Sequence, residues 1–248
     1  MKRTMIYLVL AVGMAILLNA GFVDQANALS PEEMVEKIQW YGAQSSIRID
    51  AGGKVIYIDP YKIPAKNNDA DIILITHKHD DHYSTSQMDK IAKEGTVFIA
   101  PKGCGKWIDK KFKTETILSE PGMKTDVGGI QIEAVPAYNI RKTQYHPKQN
   151  KWVGYILTIE GVRIYHAGDT ERIPEMKTFT CDIALLPLGQ KYTMNKVDDA
   201  AEAALDVKAK IAIPMHFGMF EGSKKDADKF AKLLDGKVKV IRKERIKK

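Results

Sequence analysis

The run "ITHKHDDHY", Ile75–Tyr83, places three histidines and two aspartates in six consecutive positions directly behind the apolar stretch Ile72–Ile75. A strand-like segment ending in stacked charge is costly unless something neutralises it. His77, His79 and Asp81 stand at alternate positions, so extended backbone turns all three to one side. His82 follows at the start of a helical segment, where the turn swings it to an adjacent point. Imidazole and carboxylate are ligands of zinc and similar divalent ions. The segment can therefore serve two neighbouring cations; a solvated acidic-histidine loop is the plain alternative. A strand before it and a capped helix after it favour the cations.

The chain has only six histidines, and two more end apolar runs. His216 closes "IAIPMH", and His166 lies in "YHAGDT", where a run meets Gly168 and Asp169. Strand ends gathered at one sheet edge can assemble a site from distant sequence. His166 itself reads as support for a ligand or as core packing. Asp59, ending "VIYIDP", either supports the His77–His82 loop from behind or is a turn residue before Pro60. His146 sits in "YNIRKTQYHPKQNK", residues 138–151, which is polar, basic and aperiodic, as functional loops often are. It is either a ligand that swings in or a surface histidine.

Residues 1–28 read as a secretory leader: Lys2 and Arg3, an apolar run from Met5 to Leu18, then Ala26, Asn27 and Ala28 before the cut. An uncleaved membrane anchor is the alternative, which Gly13, Asn19 and Gly21 disfavour. The mature chain, residues 29–248, would begin at Leu29 in a bacterial periplasm or outside the cell, with no stable membrane span.

Within it, Ser30, Pro31 and Glu33 predict a helix opened by a capping box. "SSIRID" and "KVIYIDP" form a hairpin about Gly52 and Gly53, and "DIILITH" is a strand buried on both faces. A second capping box is expected at Ser84 and Gln87, with Met88, Ile91 and Ala92 buried and Gly95 as the stop. "TVFIAP", "GGIQIEAVPA", "WVGYILTIEGVRIYHAGD", "DIALLPL", "KIAIPMH" and "KVKVI" read as strands. "NKVDDAAEAALDV" and "SKKDADKFAKLLDG" read as helices. Hairpins mixed with strand–helix units imply an α/β domain with helices outside a two-sheet core.

Loss of the leader lowers the formal charge from +7 to +6. That excess is mostly dispersed lysine, and no arginine stripe interleaved with aromatics marks a nucleic-acid surface. Cys104 and Cys181 are two separate buried thiols or, in an oxidising compartment, a bridge. There is no G-x-S-x-G elbow and no P-loop spacing.

"THKHDDHY", "HAGDT" and "PMHFG" together resemble the metallo-β-lactamase superfamily. The resemblance covers nearly all of the mature chain, and its nearest branches are similar to ascorbate-6-phosphate lactonase and N-acyl-phosphatidylethanolamine phospholipase D. It implies a four-layer αβ/βα sandwich of two mixed sheets with helices on the outer faces. It implies a metal-dependent hydrolase of esters, lactones or phosphodiesters, with two Zn2+ ions, or Mn2+ or Fe2+ in their place. His77 and His79 would hold one ion, Asp81, His82 and His216 the other, with Asp169 bridging and Asp59 behind them. Two such ions about 3.5–4 Å apart would activate an intervening hydroxide, oriented by Asp81 or Asp169. The pattern departs at "VPAYN", where Asn139 replaces an expected histidine, leaving that place to His146 or weakening the first site. It departs again at "YGAQSS", where Gln44 stands near a common histidine. Tyr138, Arg141 and Tyr192 are candidate contacts for a small, anionic substrate, and Lys142 and Lys148 add charge beside them. A noncatalytic metal- or ligand-binding protein of the same fold is the alternative.

Overall fold

The structure, a computed structural model, describes residues 28–41 and 44–246. The expected leader up to residue 27, and with it the anchor alternative, lies outside the described residues, as does Ala43. Among the described residues no helix is long and apolar enough to cross a membrane.

The chain enters through α1 (Pro31–Lys37), capped as its sequence predicts: the Ser30 hydroxyl accepts from Glu33 N at 3.2 Å, and Ser30 N donates to the Glu33 carboxylate at 2.8 Å. It then builds β1 (Ile38–Tyr41), β2 (Ile47–Ala51), β3 (Lys54–Ile58), β4 (Ala70–Leu74), α2 (Thr85–Ile91), β5 (Ala92–Pro101), α3 (Lys102–Phe112) and β6 (Ile117–Ser119). The second half adds β7 (Lys124–Val127), β8 (Ile130–Pro136), β9 (Val153–Ile159), β10 (Val162–His166) and β11 (Ile183–Pro187). It closes with α4 (Val197–Asp206), β12 (Ile211–Met215), α5 (Lys224–Leu234), β13 (Lys239–Val240) and β14 (Arg245–Ile246).

Two seven-stranded mixed sheets result, ordered β14-β1-β2-β3-β4-β5-β6 and β13-β12-β11-β10-β9-β8-β7. Alternation along the strands sorts side chains between layers. Ile56, Ile58, Ile72, Leu74 and Ile99 pack into the core that contains the second sheet, α4 and α5. Tyr57, Ile73, Ile75, Phe98 and Ala100 point the other way, onto Met88 and Ile91 of α2 and Cys104 and Ile108 of α3. Each such isoleucine contributes about 1.5–3 kcal/mol by leaving water. Helix, sheet, sheet and helix thus stack in four layers.

Local readings fail where tertiary packing overrides them. The Ser84 side chain caps nothing, and Gln87 instead accepts the Ile63 N–H at 2.8 Å. Gly95 stops no helix; α2 runs straight into β5, which contains that glycine. Helix α3 was not legible, because Gly103 and Gly105 each lower helix propensity by about 1 kcal/mol. Burial of Cys104 and Ile108 on the outer face of the first sheet outweighs that cost. Both cysteines are free and buried, Cys104 in the outer layer and Cys181 in the central core.

Candidate metal centre

The chemistry-bearing residues all leave strands or loops at one edge of the two sheets. His77–His82 follow β4, Asp59 follows β3, Asp169 follows β10 and His216 follows β12, while His146 comes from the loop between β8 and β9. Asp59 and His216 adopt left-handed backbone, φ 49° and 54°. A side chain pays about 1–2 kcal/mol for that conformation, which persists where the fold must aim the residue. Gly168, φ +63°, lets Asp169 approach; a Cβ on it would stand 3.1 Å from both the Thr76 Cβ and the Val153 carbonyl.

Two triads converge, and in each the donor atoms lie within 4.8 Å of one another: His77, His79 and His146, and Asp81, His82 and His216. In the first, His77 Nε2 is 3.0 Å from His79 Nδ1. In the second, Asp81 Oδ2 lies 3.8 Å from His82 Nε2 and 4.0 Å from His216 Nε2. Asp169 stands between them. Its Oδ1 is 3.3 Å from His82 Nε2, and its Oδ2 is 3.2 Å from His216 Nε2 and 3.4 Å from His146 Nε2.

These separations fit a shared cation. Tetrahedral ligands at about 2.0–2.1 Å from a metal stand about 3.3–3.4 Å from one another. His82 Nε2, His146 Nε2 and Asp169 Oδ1 are buried without a hydrogen-bond partner, although a ligand atom lies within 3.4 Å of each. They face each other off the hydrogen-bond direction, as donors around a common point do. Left that way, each would cost about 1–3 kcal/mol.

A third cluster, Asp59, His77 and His82, is close enough as well, but Asp59 is already engaged. It accepts Thr76 N at 2.8 Å, Thr76 Oγ1 at 2.6 Å and His82 Nδ1 at 2.8 Å. The Nδ1 contact turns His82 Nε2 toward Asp169, so Asp59 orients that ring. Glu221 stands behind His216, with Oε1 3.0 Å from Nδ1 but off the hydrogen-bond direction. His166 lies outside the triads: its Nε2 bonds the Ser45 carbonyl at 2.8 Å and its Nδ1 accepts Gly168 N at 3.2 Å, pinning the turn before Asp169. Asn139 bonds the Tyr192 carbonyl at 2.7 Å and lies 3.3 Å from His146 Nδ1, so the amide braces the loop whose imidazole reaches the centre.

Charge divides the imidazoles. Burial, then the neighbouring His82, holds His77 well below the usual histidine range, and burial with His146 lowers His79. Burial also opposes charge on His82 and His216, but Asp169 outweighs it, aided by Asp59 at one and Glu221 at the other. His82 rises well above its ordinary value and His216 rises to about 10. Asp169, pushed up by burial, is pulled well down by His216 and His82.

A cavity of about 580 Å³ opens over the centre, lined by Tyr61, Tyr145, Tyr192, Met219 and Phe220 beside the histidines and aspartates. Tyr192 lines it as expected. Tyr138 and Arg141 do not. The Tyr138 hydroxyl turns to Glu175 at 2.9 Å with Lys148 over its ring, and Arg141 is exposed with its backbone N–H held by Glu171. Lys142 bonds the carbonyls of Gln190, Thr193 and Met194. Thr170, beside Asp169, bonds the Tyr138 carbonyl at 2.9 Å.

Several supporting residues escaped sequence reasoning. Glu221 carries no motif, and only its place five residues after His216 hints at a role. Trp152 packs within 5.0 Å of both His77 and His79, yet reads as a strand aromatic. Gln44 Nε2 lies 3.4 Å from Asp81 Oδ2 and 3.2 Å from His216 Nε2, filling the place where a histidine was looked for.

Comparison with known proteins returns the same architecture. A family model described as a beta-lactamase superfamily domain matches residues 37–216. A UPF0173 metal-dependent hydrolase of Methanosphaera stadtmanae is 31% identical over 218 residues, spanning 82% of this chain and 92% of its own. Another from Pyrococcus abyssi is 35% identical over 205 residues, spanning 77% and 89%. A crystal structure from Parabacteroides distasonis superposes with a TM-score of 0.71 at 35% identity, covering 83% of this chain and 92% of that one. Igni18, a metallo hydrolase from Ignicoccus hospitalis, shares the fold at a TM-score of 0.66 and 24% identity, covering 84% and 94%.

Proposed function

Because the chain belongs to the beta-lactamase superfamily, with metal-dependent hydrolases among its relatives, we propose that it is a dinuclear hydrolase of esters, lactones or phosphodiesters. The observation that carries this reading is Asp169, whose two oxygens reach both triads. His77, His79, His146 and Asp169 would hold one cation, and Asp81, His82, His216 and Asp169 the other, with zinc first and manganese or ferrous iron as alternatives. Cations bound there would make water nucleophilic near neutral pH and polarise the oxygen under attack.

The chain's own groups divide the remaining work. The Asp81 side chain is 23% exposed and lines the cavity, whereas that of Asp169 is 4% exposed. Asp81 is therefore the carboxylate that meets the attacking water and carries its proton to the leaving group, while Asp169 holds geometry. Tyr61, its pKa raised by burial and by Asp81 and Asp80, keeps a phenolic O–H at the cavity wall. The anionic preference expected from the 138–151 loop loses its basis, because Lys142 and Lys148 are engaged away from the cavity.

Metal analysis with a chelator-sensitive ester, lactone and phosphodiester panel tests the proposal. Two equivalents and metal-dependent turnover support it; one tight equivalent without turnover makes the chain a metal-binding protein of the same fold. The leader expected at residues 1–28 makes this an exported enzyme, and N-terminal sequencing of protein from the periplasm or medium should begin at Leu29.

A further inference from the structure

The cavity wall beyond the metal centre is aromatic, and among the described residues no lysine or arginine lines it. Tyr145 and Tyr192 meet edge to face, centroids 4.9 Å apart, and join the loop after β8 to the loop after β11. That pair is held in place. Asn139 bonds the Tyr192 carbonyl, and Glu221 accepts the N–H groups of Lys191 and Tyr192 at 2.7 Å each. Gly189 permits this, since a Cβ there would run into the Glu221 carboxylate. Phe220, four residues after His216, is 51% exposed beside the same opening.

The carboxylates on that wall are Asp80, Asp81 and Asp169, beside the histidines of the centre. Two divalent cations answer charge only at the reacting centre. A second carboxylate or phosphate on the substrate would face Asp80 and an apolar rim whose neighbouring cations, Lys191 over the Tyr192 ring and Lys62 over the Tyr61 ring, are solvent-exposed and answer charge only weakly. A flat apolar group would instead cover Phe220 and the tyrosine pair, where aromatic faces and edges give orientation as well as burial.

On the hydrolase reading above, we propose that the site takes neutral carboxylic esters or lactones carrying an aromatic ring or a comparable flat apolar group, and rejects those with a second negative charge. The water oxygen bonds the acyl carbon and the acyl C–O bond breaks. The departing alcohol takes one proton by way of Asp81, and the other goes to solvent as the new acid ionises.

Methyl phenylacetate, methyl acetate and monomethyl succinate, followed by acid release in a pH-stat with the zinc-loaded full chain, test this. The expected kcat/KM for methyl phenylacetate exceeds that for monomethyl succinate at least tenfold. Phe220→Ala and Tyr192→Ala should each shrink that ratio several-fold. Saturation-transfer NMR with N-methylphenylacetamide, which needs no turnover, should show ring contacts that weaken in both variants. A preference for monomethyl succinate, or a ratio and NMR contacts untouched by both substitutions, overturns the proposal and leaves the hydrolase standing. Absence of chelator-sensitive turnover of every ester overturns the proposal, and the hydrolase reading falls with it only when the lactone and phosphodiester panel is inert as well.

Discussion

The two triads, three imidazoles in one and two imidazoles with Asp81 in the other, lie in opposite surroundings. His77, His79 and His146 are walled by the Trp152 ring, with centroids 5.0, 5.0 and 5.6 Å away. Burial there keeps His77 and His79 below the usual histidine range. In the second triad, His82 backs onto Asp59 and His216 onto Glu221, and both imidazoles rise above that range despite burial. Asp169, which faces both rings, is the larger cause and the carboxylates behind them add to it, so the acids around an imidazole decide whether a proton must leave before a cation enters. His77 and His79 stay neutral and need lose no proton, whereas His82 and His216 must release protons to bind.

The comparison breaks most completely at the residue common to both halves. Asp169→Asn keeps the shape but removes the charge that faces His82, His146 and His216. Changing a group behind a single ligand costs about 10–100-fold, so this change should cost more than about a hundredfold in kcat/KM. Metal content should fall below two equivalents by elemental analysis. Two retained equivalents with undiminished turnover would remove Asp169 from the centre.

Glu221→Gln should separate the triads. The amide can still accept the Lys191 and Tyr192 N–H groups, but it no longer supports charge on His216. Affinity at the second triad is expected to drop about 10–100-fold in a competitive chelator titration, while the first equivalent binds as before. Equal losses at both equivalents would mean that the triads are not independent.

Those halves also differ in how far they were legible. His77, His79, Asp81 and His82 announce themselves because one loop carries them at strand spacing, and neighbours in sequence are neighbours in space. Asp169 and His216 were readable as the ends of apolar runs, since parallel strands bring such ends to one edge. Nothing local marks Glu221, which matters through His216 and through the Lys191 and Tyr192 N–H groups, or Trp152, whose ring meets His77 and His79 from a distant part of the chain. A two-sheet core with helices outside followed from mixed hairpins and strand–helix units, and the four layers from the family resemblance. Helix α3 and the two-residue β14 did not, one weakened by glycines and the other too short to show a period.

Protonation supplies a smaller but signed effect. In the metal-free chain, the folded pKa of His216 is about 10, above its ordinary value of 6.5. Its stabilising interaction is fully present below pH 6.5 and is lost as pH rises toward 10. Metal-free protein should therefore melt lower at pH 9.5 than at pH 6.5, by about 5 °C or more. The metal-loaded protein should show the reverse slope of metal affinity, with tighter binding as pH rises because entering cations displace protons. Scanning calorimetry with and without chelator reads both signs. A metal-free melting temperature that climbs across that range would remove the charged His216 from the second triad.

The subtlest distinction lies in the first triad, where the third imidazole comes from a loop. Asn139 ties that loop down through the Tyr192 and Lys142 carbonyls and lies beside His146 Nδ1. Glu171 also fastens it, accepting the N–H groups of Ile140, Arg141 and Lys142 at 2.9, 2.9 and 3.0 Å. Asn139→Ala therefore loosens His146 without freeing the whole segment, and stability should fall by only about 1 kcal/mol. Affinity at the first triad should drop a few-fold, while the second, with no contact to Asn139, holds its cation unchanged. A chelator titration in which only the first triad's equivalent shifts is the expected result. If neither equivalent moves, the bracing belongs to Glu171 alone and the amide at 139 merely fills space once available to an imidazole.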